Sequence, residues 1–84
     1  MTATEVETTV REVMGLLLEP AELHEGNITR AETPSWDSLK HVELVFAVED
    51  ACQVSLEASD LGELDSLDDI VAAVRARLRS PAEG

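Results

Sequence analysis

The sequence has few aromatic residues, one cysteine and few basic residues, and each shortage excludes a class of protein. Trp36 and Phe46 are the only aromatic residues among 84, so the core must come mainly from valine, leucine, isoleucine and alanine. We expect such a core to be helical, because the aromatic side chains that are enriched in strands are scarce. A single cysteine, Cys52, forms no internal disulfide, and the lack of a paired cysteine and histidine set excludes a structural zinc site.

Six basic residues stand against 18 acidic ones, which leaves a formal net charge of −12. That charge repels a phosphate backbone and an anionic membrane, so we expect no nucleic-acid or membrane partner. No stretch approaches the roughly 18 apolar residues of a membrane span, and the first residues lack the pattern of a signal peptide. We therefore expect a cytoplasmic monomer: one domain over residues 1–84, ordered from about residue 4 to 79, with residues 80–84 as a tail.

The first and last helices are predicted from apolar residues at helical spacing. In the first helix these are Val6, Val10, Val13, Met14 and Leu17. Thr4 and Glu7 are spaced as a capping box, and Pro20 predicts an end near Leu18 or Glu19. The last helix is predicted to be capped by Ser66, with an apolar face of Ile70, Val71, Val74 and Leu78 and with Arg75, Arg77 and Arg79 at its end.

Two segments between these helices lack sustained periodicity. The long connection from Pro20 to about Asp37 is typical of a working loop, and Ile28 and Trp36 are expected to anchor it to the core. Residues 58–64 hold at most one or two helical turns, which Gly62 weakens.

The segment from Ser38 to Cys52 predicts a helix that is apolar on two sides. One arc is expected to face the core and contains Leu44, Val45, Val48, Ala51 and Cys52. The other arc contains Leu39, Val42 and Phe46, interleaved with Glu43, Glu49 and Asp50. Acidic charge mixed with apolar side chains is typical of a protein-docking surface. The alternative is that the three apolar side chains of this arc cover neighbouring helices.

No arrangement of residues predicts catalysis or metal binding. His24 and His41 are the only histidines, and neither stands in a recognisable pattern with a nucleophile. The acidic residues do not form a calcium loop, and the four glycines do not form a phosphate-binding loop. A small enzyme is left open only if His41 pairs with Cys52 or Ser38.

The tripeptide Asp37-Ser38-Leu39 opens the doubly apolar helix. A hydroxyl at a helix N-terminus suits a phosphoester, because free backbone N–H groups and the helix dipole favour a negative charge there. Lys40 and His41 follow and can add positive character; the alternative for Lys40 is an ordinary surface residue. The alternative is that Asp37 or Ser38 only caps the helix. A second copy, Asp65-Ser66-Leu67, is followed by Asp68 and Asp69, so Ser66 is predicted to be a cap and not a modification site.

Together these features resemble the acyl carrier protein family, over about residues 6–78 and most specifically over residues 36–56. The resemblance implies an all-α, acyl-carrier-like four-helix bundle with three longer helices and one short helix. It implies that Ser38, flanked by Asp37 and Leu39, carries 4′-phosphopantetheine derived from coenzyme A. The thiol of that group would hold an acyl or aminoacyl thioester, so the protein would be a carrier and not an enzyme.

The resemblance also implies partners. These are a phosphopantetheinyl transferase, a ligase or acyltransferase that loads the arm, and a downstream synthase or transferase. The residues that match partner-contacting positions are Leu39, Val42, Glu43, Phe46, Glu49 and Asp50. With a tryptophan directly before Asp37, the chain resembles discrete carriers of aminoacyl, polyketide and other specialised pathways. The alternatives are a fatty-acid synthesis carrier and, in a different class, an unmodified acidic helical interaction module.

Two residues depart from the family pattern at the end of the central helix. Cys52 stands where the family often has a bulky aromatic residue, and Gln53 replaces a common glycine. We interpret Cys52 as a small buried hydrophobic residue, with an acyl-carrying thiol as the alternative.

Overall fold

Three helices form the body of the described part of the chain, and one helical turn lies between the last two. The computed structural model describes residues 2–78. The elements are α1 (Ala3–Leu17), α2 (Ser38–Cys52), α3 (Ala58–Leu61) and α4 (Leu67–Leu78). These residues contain no strand, which confirms the all-α class as a small helical bundle. The predicted four-helix bundle is not shown in full, because the four residues of α3 make one turn and not a fourth packing helix.

The start of α1 lies earlier than predicted. The hydroxyl of Thr2 accepts a hydrogen bond from the Glu5 amide at 3.1 Å, and the Glu5 carboxylate accepts one from the Thr2 amide at 2.8 Å. The prediction of a capping box at Thr4 and Glu7 is therefore wrong. Threonine and glutamate occur twice at the same spacing, and the earlier pair adds residues to the helix. Glu7 instead forms an ion pair with Arg11 at 2.9 Å.

The core lies where α1 packs against both α2 and α4. α1 contributes Val6, Val10, Val13 and Met14; α2 contributes Leu44, Val45, Val48 and Cys52; α4 contributes Leu67, Ile70 and Val74. The prediction that Ala51 belongs to the core arc is wrong, because Ala51 is exposed. Leu17 and Val71 are partly buried against the core, and Leu78 is exposed.

The long connection is held in place along its length and contains two short 3₁₀ turns, Pro20–Glu22 and Arg30–Glu32. Arg11 of α1 donates hydrogen bonds to the carbonyl oxygens of His24 at 3.2 Å and Gly26 at 2.6 Å. Ile28 and Trp36 are buried, which confirms their predicted role as anchors.

The second half of the connection pairs with the residues that precede α4. The Leu67 amide donates to the Ile28 carbonyl oxygen and the Arg30 amide donates to the Asp65 carbonyl oxygen, both at 2.8 Å. Thr29 and Ser66 form an isolated antiparallel bridge at this point. The connection thus enters α2 from a position that is fixed against the start of α4.

An ion pair joins α3 to α4. Asp60 accepts a hydrogen bond from the Glu57 amide and lies 3.1 Å from the Arg77 guanidinium. Two contacts hold the pKa of Asp60 below its usual value: the hydrogen bond from the Glu57 amide has the larger effect, and the hydrogen bond from Arg77 has the next largest.

The predicted positions of Arg79 and of the tail lie outside the described residues. Within residues 2–78, no helix has both the length and the apolar character needed to cross a membrane.

Candidate functional site

Ser38 is the first residue of α2, and its side chain is exposed. The residue that caps the helix is Asp37, whose carboxylate oxygen Oδ1 accepts a hydrogen bond from the Lys40 amide at 2.9 Å. Of the two capping residues left open by the sequence, Asp37 is therefore the one used. The Ser38 hydroxyl is not consumed by capping and faces solvent.

The N-terminus of α2 also has backbone donors to spare. In the described part of the chain, the amides of Ser38 and Leu39 donate to no protein acceptor. These are the first two N–H groups of a 15-residue helix, where the positive end of the helix dipole lies. A phosphate bonded to the Ser38 oxygen would lie beside them.

The second Asp-Ser-Leu tripeptide has a different environment. Ser66 is only 8% exposed, and its hydroxyl accepts a hydrogen bond from the Asp69 amide at 3.1 Å. The Asp68 amide donates to the side-chain oxygen of Asn27 at 2.9 Å. This confirms the predicted capping role of Ser66, and it leaves neither a free hydroxyl nor spare amides at the start of α4.

The basic residue in contact with Ser38 is one that the sequence analysis missed. Nη2 of Arg30 lies 3.4 Å from the Ser38 hydroxyl oxygen, and Nε of Arg30 donates to the Trp36 carbonyl oxygen at 3.3 Å. Lys40, which was expected to add positive charge here, forms an ion pair with Glu43 at 3.3 Å. The one signal in the sequence is that Arg30 is the only lysine or arginine in the long connection.

His41 is buried on the inner side of this corner. Its Nδ1 accepts a hydrogen bond from the Trp36 indole N–H at 3.0 Å, and its Nε2 lies 2.7 Å from the Leu61 carbonyl oxygen. His41 is thus a buried histidine held by one side-chain partner and one backbone partner. Both ring nitrogens are engaged, so His41 forms no reactive pair with Ser38 or Cys52.

Cys52 lies in the core and is 3% exposed. Burial raises the pKa of its thiol, because the thiolate would lose its hydration. A buried, protonated thiol is a poor nucleophile, which agrees with the interpretation of Cys52 as a small hydrophobic residue.

Three apolar side chains of α2 are exposed along the helix from Ser38, and we call them the outer face: Leu39 at 67%, Val42 at 43% and Phe46 at 62%. The alternative, in which they cover neighbouring helices, is excluded by this exposure. Large apolar side chains grouped on one side of a helix are typical of an interaction surface.

The three acidic residues interleaved with the outer face differ in what they contact. Glu43 pairs with Lys40. Glu49 is half-buried, and its carboxylate accepts a hydrogen bond from the Leu56 amide at 2.6 Å, which ties the end of α2 to the following segment. Asp50 is exposed, and its carboxylate has no partner among the described side chains. Asp50 is therefore the most available of the three for an outside partner.

Fold and site together define a small helical bundle with an exposed serine at one helix N-terminus and an apolar face beside it. Residues 2–78 contain no group of three or more histidine, cysteine or acidic side chains placed to hold a metal ion. Comparisons with protein-family models, with curated proteins and with solved structures gave no match to this chain.

Proposed function

We propose that this protein is a stand-alone carrier in which Ser38 bears 4′-phosphopantetheine and the arm holds an acyl or aminoacyl thioester. The observation that carries the proposal is the state of Ser38: its hydroxyl is exposed and is not the helix cap, whereas the matching hydroxyl of Ser66 is buried and used. In this proposal the bundle is acyl-carrier-like, and α3 serves as its short fourth element.

The residues at the corner fit a phosphodiester. The amides of Ser38 and Leu39 supply two backbone donors within the described chain that have no other acceptor, and Arg30 supplies a guanidinium in contact with the serine oxygen. A phosphate group prefers this combination of donors and positive charge. When bound, the group supplies a thiol with a pKa near the free cysteine value of about 8.5, which forms and releases thioesters readily.

Attachment requires an external donor and an external catalyst. With coenzyme A as donor, the Ser38 oxygen forms a bond to the phosphorus on the pantetheine side, and the pyrophosphate bond to adenosine bisphosphate breaks. The serine proton passes to a base of the phosphopantetheinyl transferase. No base of this chain contacts the Ser38 hydroxyl among the described residues, so the proposal assigns this base to the transferase.

Recognition by partners is assigned to the outer face together with Asp50. The apolar side chains provide contact area, and the acidic charge steers partners that carry basic patches. The partners in this proposal are the transferase, a loading ligase or acyltransferase, and a downstream synthase or transferase of polyketide, nonribosomal or related specialised biosynthesis.

Intact-mass measurement tests the proposal directly. The protein is incubated with a promiscuous phosphopantetheinyl transferase and coenzyme A, and we expect a gain equal to one phosphopantetheine group. Ser38→Ala should abolish the gain. Ser66→Ala should retain it, provided that circular dichroism shows the variant folded. A gain that depends on Ser66 and not on Ser38 would overturn the site assignment.

The exposed outer face also favours a second function, an acidic helical interaction module that binds partners without any prosthetic group. The same measurement separates the two functions. A folded wild-type protein that gains no mass, both after this incubation and when isolated from its own host, would favour the unmodified module.

A further inference from the structure

Among the basic residues of the described chain, Arg30 and Arg75 have no carboxylate partner, and of these two only Arg30 contacts Ser38. Arg11 pairs with Glu7, Lys40 with Glu43, and Arg77 with Asp60 and Glu57. Across residues 2–78, no acidic side chain lies within ion-pair distance of Arg30. A positive charge without a local partner in a protein of net charge −12 is available for an anion from outside.

The guanidinium of Arg30 is also held in place. Its Nε donates to the carbonyl oxygen of Trp36, a residue that is 2% exposed, and its backbone amide donates to the Asp65 carbonyl oxygen. These bonds fix both ends of the residue. They leave Nη2 directed at the Ser38 hydroxyl, 3.4 Å away. Little side-chain entropy remains to be lost when a ligand binds.

We propose that Arg30 binds the phosphodiester attached to Ser38 and thereby positions the first bonds of the arm. This inference rests on the proposed carrier function. In the modified protein the phosphorus would be bonded to the same oxygen that Arg30 now contacts, so Arg30 is the guanidinium that would hold the phosphate charge. An arginine and a phosphate form a charge-assisted pair that is stronger than a bond between neutral groups. Arg30 is a positioning residue and takes no part in chemistry at the thiol.

A thermodynamic cycle separates this role from the structural bond between Arg30 and Trp36. The folding equilibrium constant is measured by urea denaturation for the unmodified and modified forms of the wild type and of Arg30→Gln. Loading is driven to completion and verified by intact mass. For each protein, the folding equilibrium constant of the modified form is divided by that of the unmodified form. The lost bond to Trp36 affects both forms of the variant equally and cancels in this ratio. The ratio therefore reports the pairing of Arg30 with the phosphate.

Arg75→Gln is the matched control. Arg75 is exposed on α4 and pairs with no acidic side chain in the described structure, and its substitution changes the net charge by the same amount as Arg30→Gln. We expect the ratio to be about two- to fivefold larger in the wild type than in Arg30→Gln, the size of a solvent-exposed charged pair. Arg75→Gln should keep the wild-type ratio. The difference should shrink in 1 M salt, where the screening length is about 3 Å.

The phosphorus-31 resonance of the modified protein gives an independent readout. We expect it to shift in Arg30→Gln and not in Arg75→Gln. Equal ratios in the wild type and in Arg30→Gln, or an equal loss in both variants, would overturn the inference while leaving the carrier function intact. If Ser38 gains no mass in the wild type, the carrier function itself fails and this inference fails with it.

Discussion

The indole N–H of Trp36 donates a hydrogen bond to Nδ1 of His41 at 3.0 Å, with the two rings stacked at a centroid distance of 6.0 Å. Because Nδ1 accepts this bond, the ring proton is on Nε2, which donates to the Leu61 carbonyl oxygen. The pair thus joins the end of the long connection to the first turn of α2 and to α3. Ser38 lies between the two residues in sequence, so its corner is braced from the inside while its hydroxyl faces outward.

Replacing Trp36 by phenylalanine should destabilise the protein without changing the modification of Ser38. The variant loses the indole donor and part of the buried volume, and it leaves Nδ1 of His41 without its partner. We expect the free energy of unfolding to fall by about 1–3 kcal/mol. Urea denaturation followed by circular dichroism measures the change, since the only tryptophan is lost. Normal stability combined with failed loading would instead identify Trp36 as a contact of the transferase.

The outer face should govern recognition and contribute little to stability. We expect Leu39→Ala and Phe46→Ala each to lower kcat/KM for loading by the transferase about tenfold, which corresponds to about 1.4 kcal/mol at an interface. The free energy of unfolding should change by less than about 0.5 kcal/mol, because both side chains are already exposed.

Leu16 provides the control for this experiment. It is a leucine that is 84% exposed, and it lies on α1, whereas the outer face lies on α2. Leu16→Ala should leave both the loading rate and the stability unchanged. A loss of loading in this variant equal to that of Leu39→Ala would mean that the effect is not specific to the outer face.

Removing the carboxylate of Glu49 should destabilise the protein, whereas removing that of Asp50 should not. Glu49→Ala leaves the Leu56 amide without its acceptor, so we expect the free energy of unfolding to fall by about 1–3 kcal/mol. Asp50→Ala removes an exposed carboxylate that contacts no described side chain and should change stability by less than about 0.5 kcal/mol. Tryptophan fluorescence in urea measures both variants. Equal destabilisation by the two substitutions would contradict the assignment.

Glycine at position 53 should stabilise the protein. Gln53 ends α2 with φ 59° and ψ 46°, a left-handed conformation that costs a side-chain-bearing residue about 1–2 kcal/mol. Part of this strain is offset by the hydrogen bond from its side-chain amide to the Asp50 carbonyl oxygen at 2.7 Å. We therefore expect Gln53→Gly to raise the free energy of unfolding by about 1 kcal/mol.

Gln53→Ala is the matched variant for this substitution. It loses the same hydrogen bond but keeps a Cβ atom in the left-handed conformation, so we expect no gain in stability. Urea denaturation of the three proteins provides the comparison. A gain in Gln53→Ala as large as that in Gln53→Gly would show that backbone conformation is not the cause.

Local patterns were sufficient for much of α2. Its bounds, the burial of Val48 and Cys52 and the exposure of Phe46 follow from helical spacing, because neighbours along a helix face are determined by sequence separation alone. Patterns failed where two local solutions were equivalent. Thr2 and Thr4 each precede a glutamate at capping-box spacing, and only the full helix shows which threonine caps it.

The sequence by itself determined an acidic helical protein, its three main helices and a serine at the start of α2. Tertiary structure alone decided that Arg30 meets Ser38 and that Glu49 is bound to the Leu56 amide. These contacts involve irregular backbone, in which no repeat distance relates sequence separation to position in space. The path of the connection against the residues before α4 brings Arg30 to Ser38, and that path depends on hydrogen bonds between segments far apart in the chain.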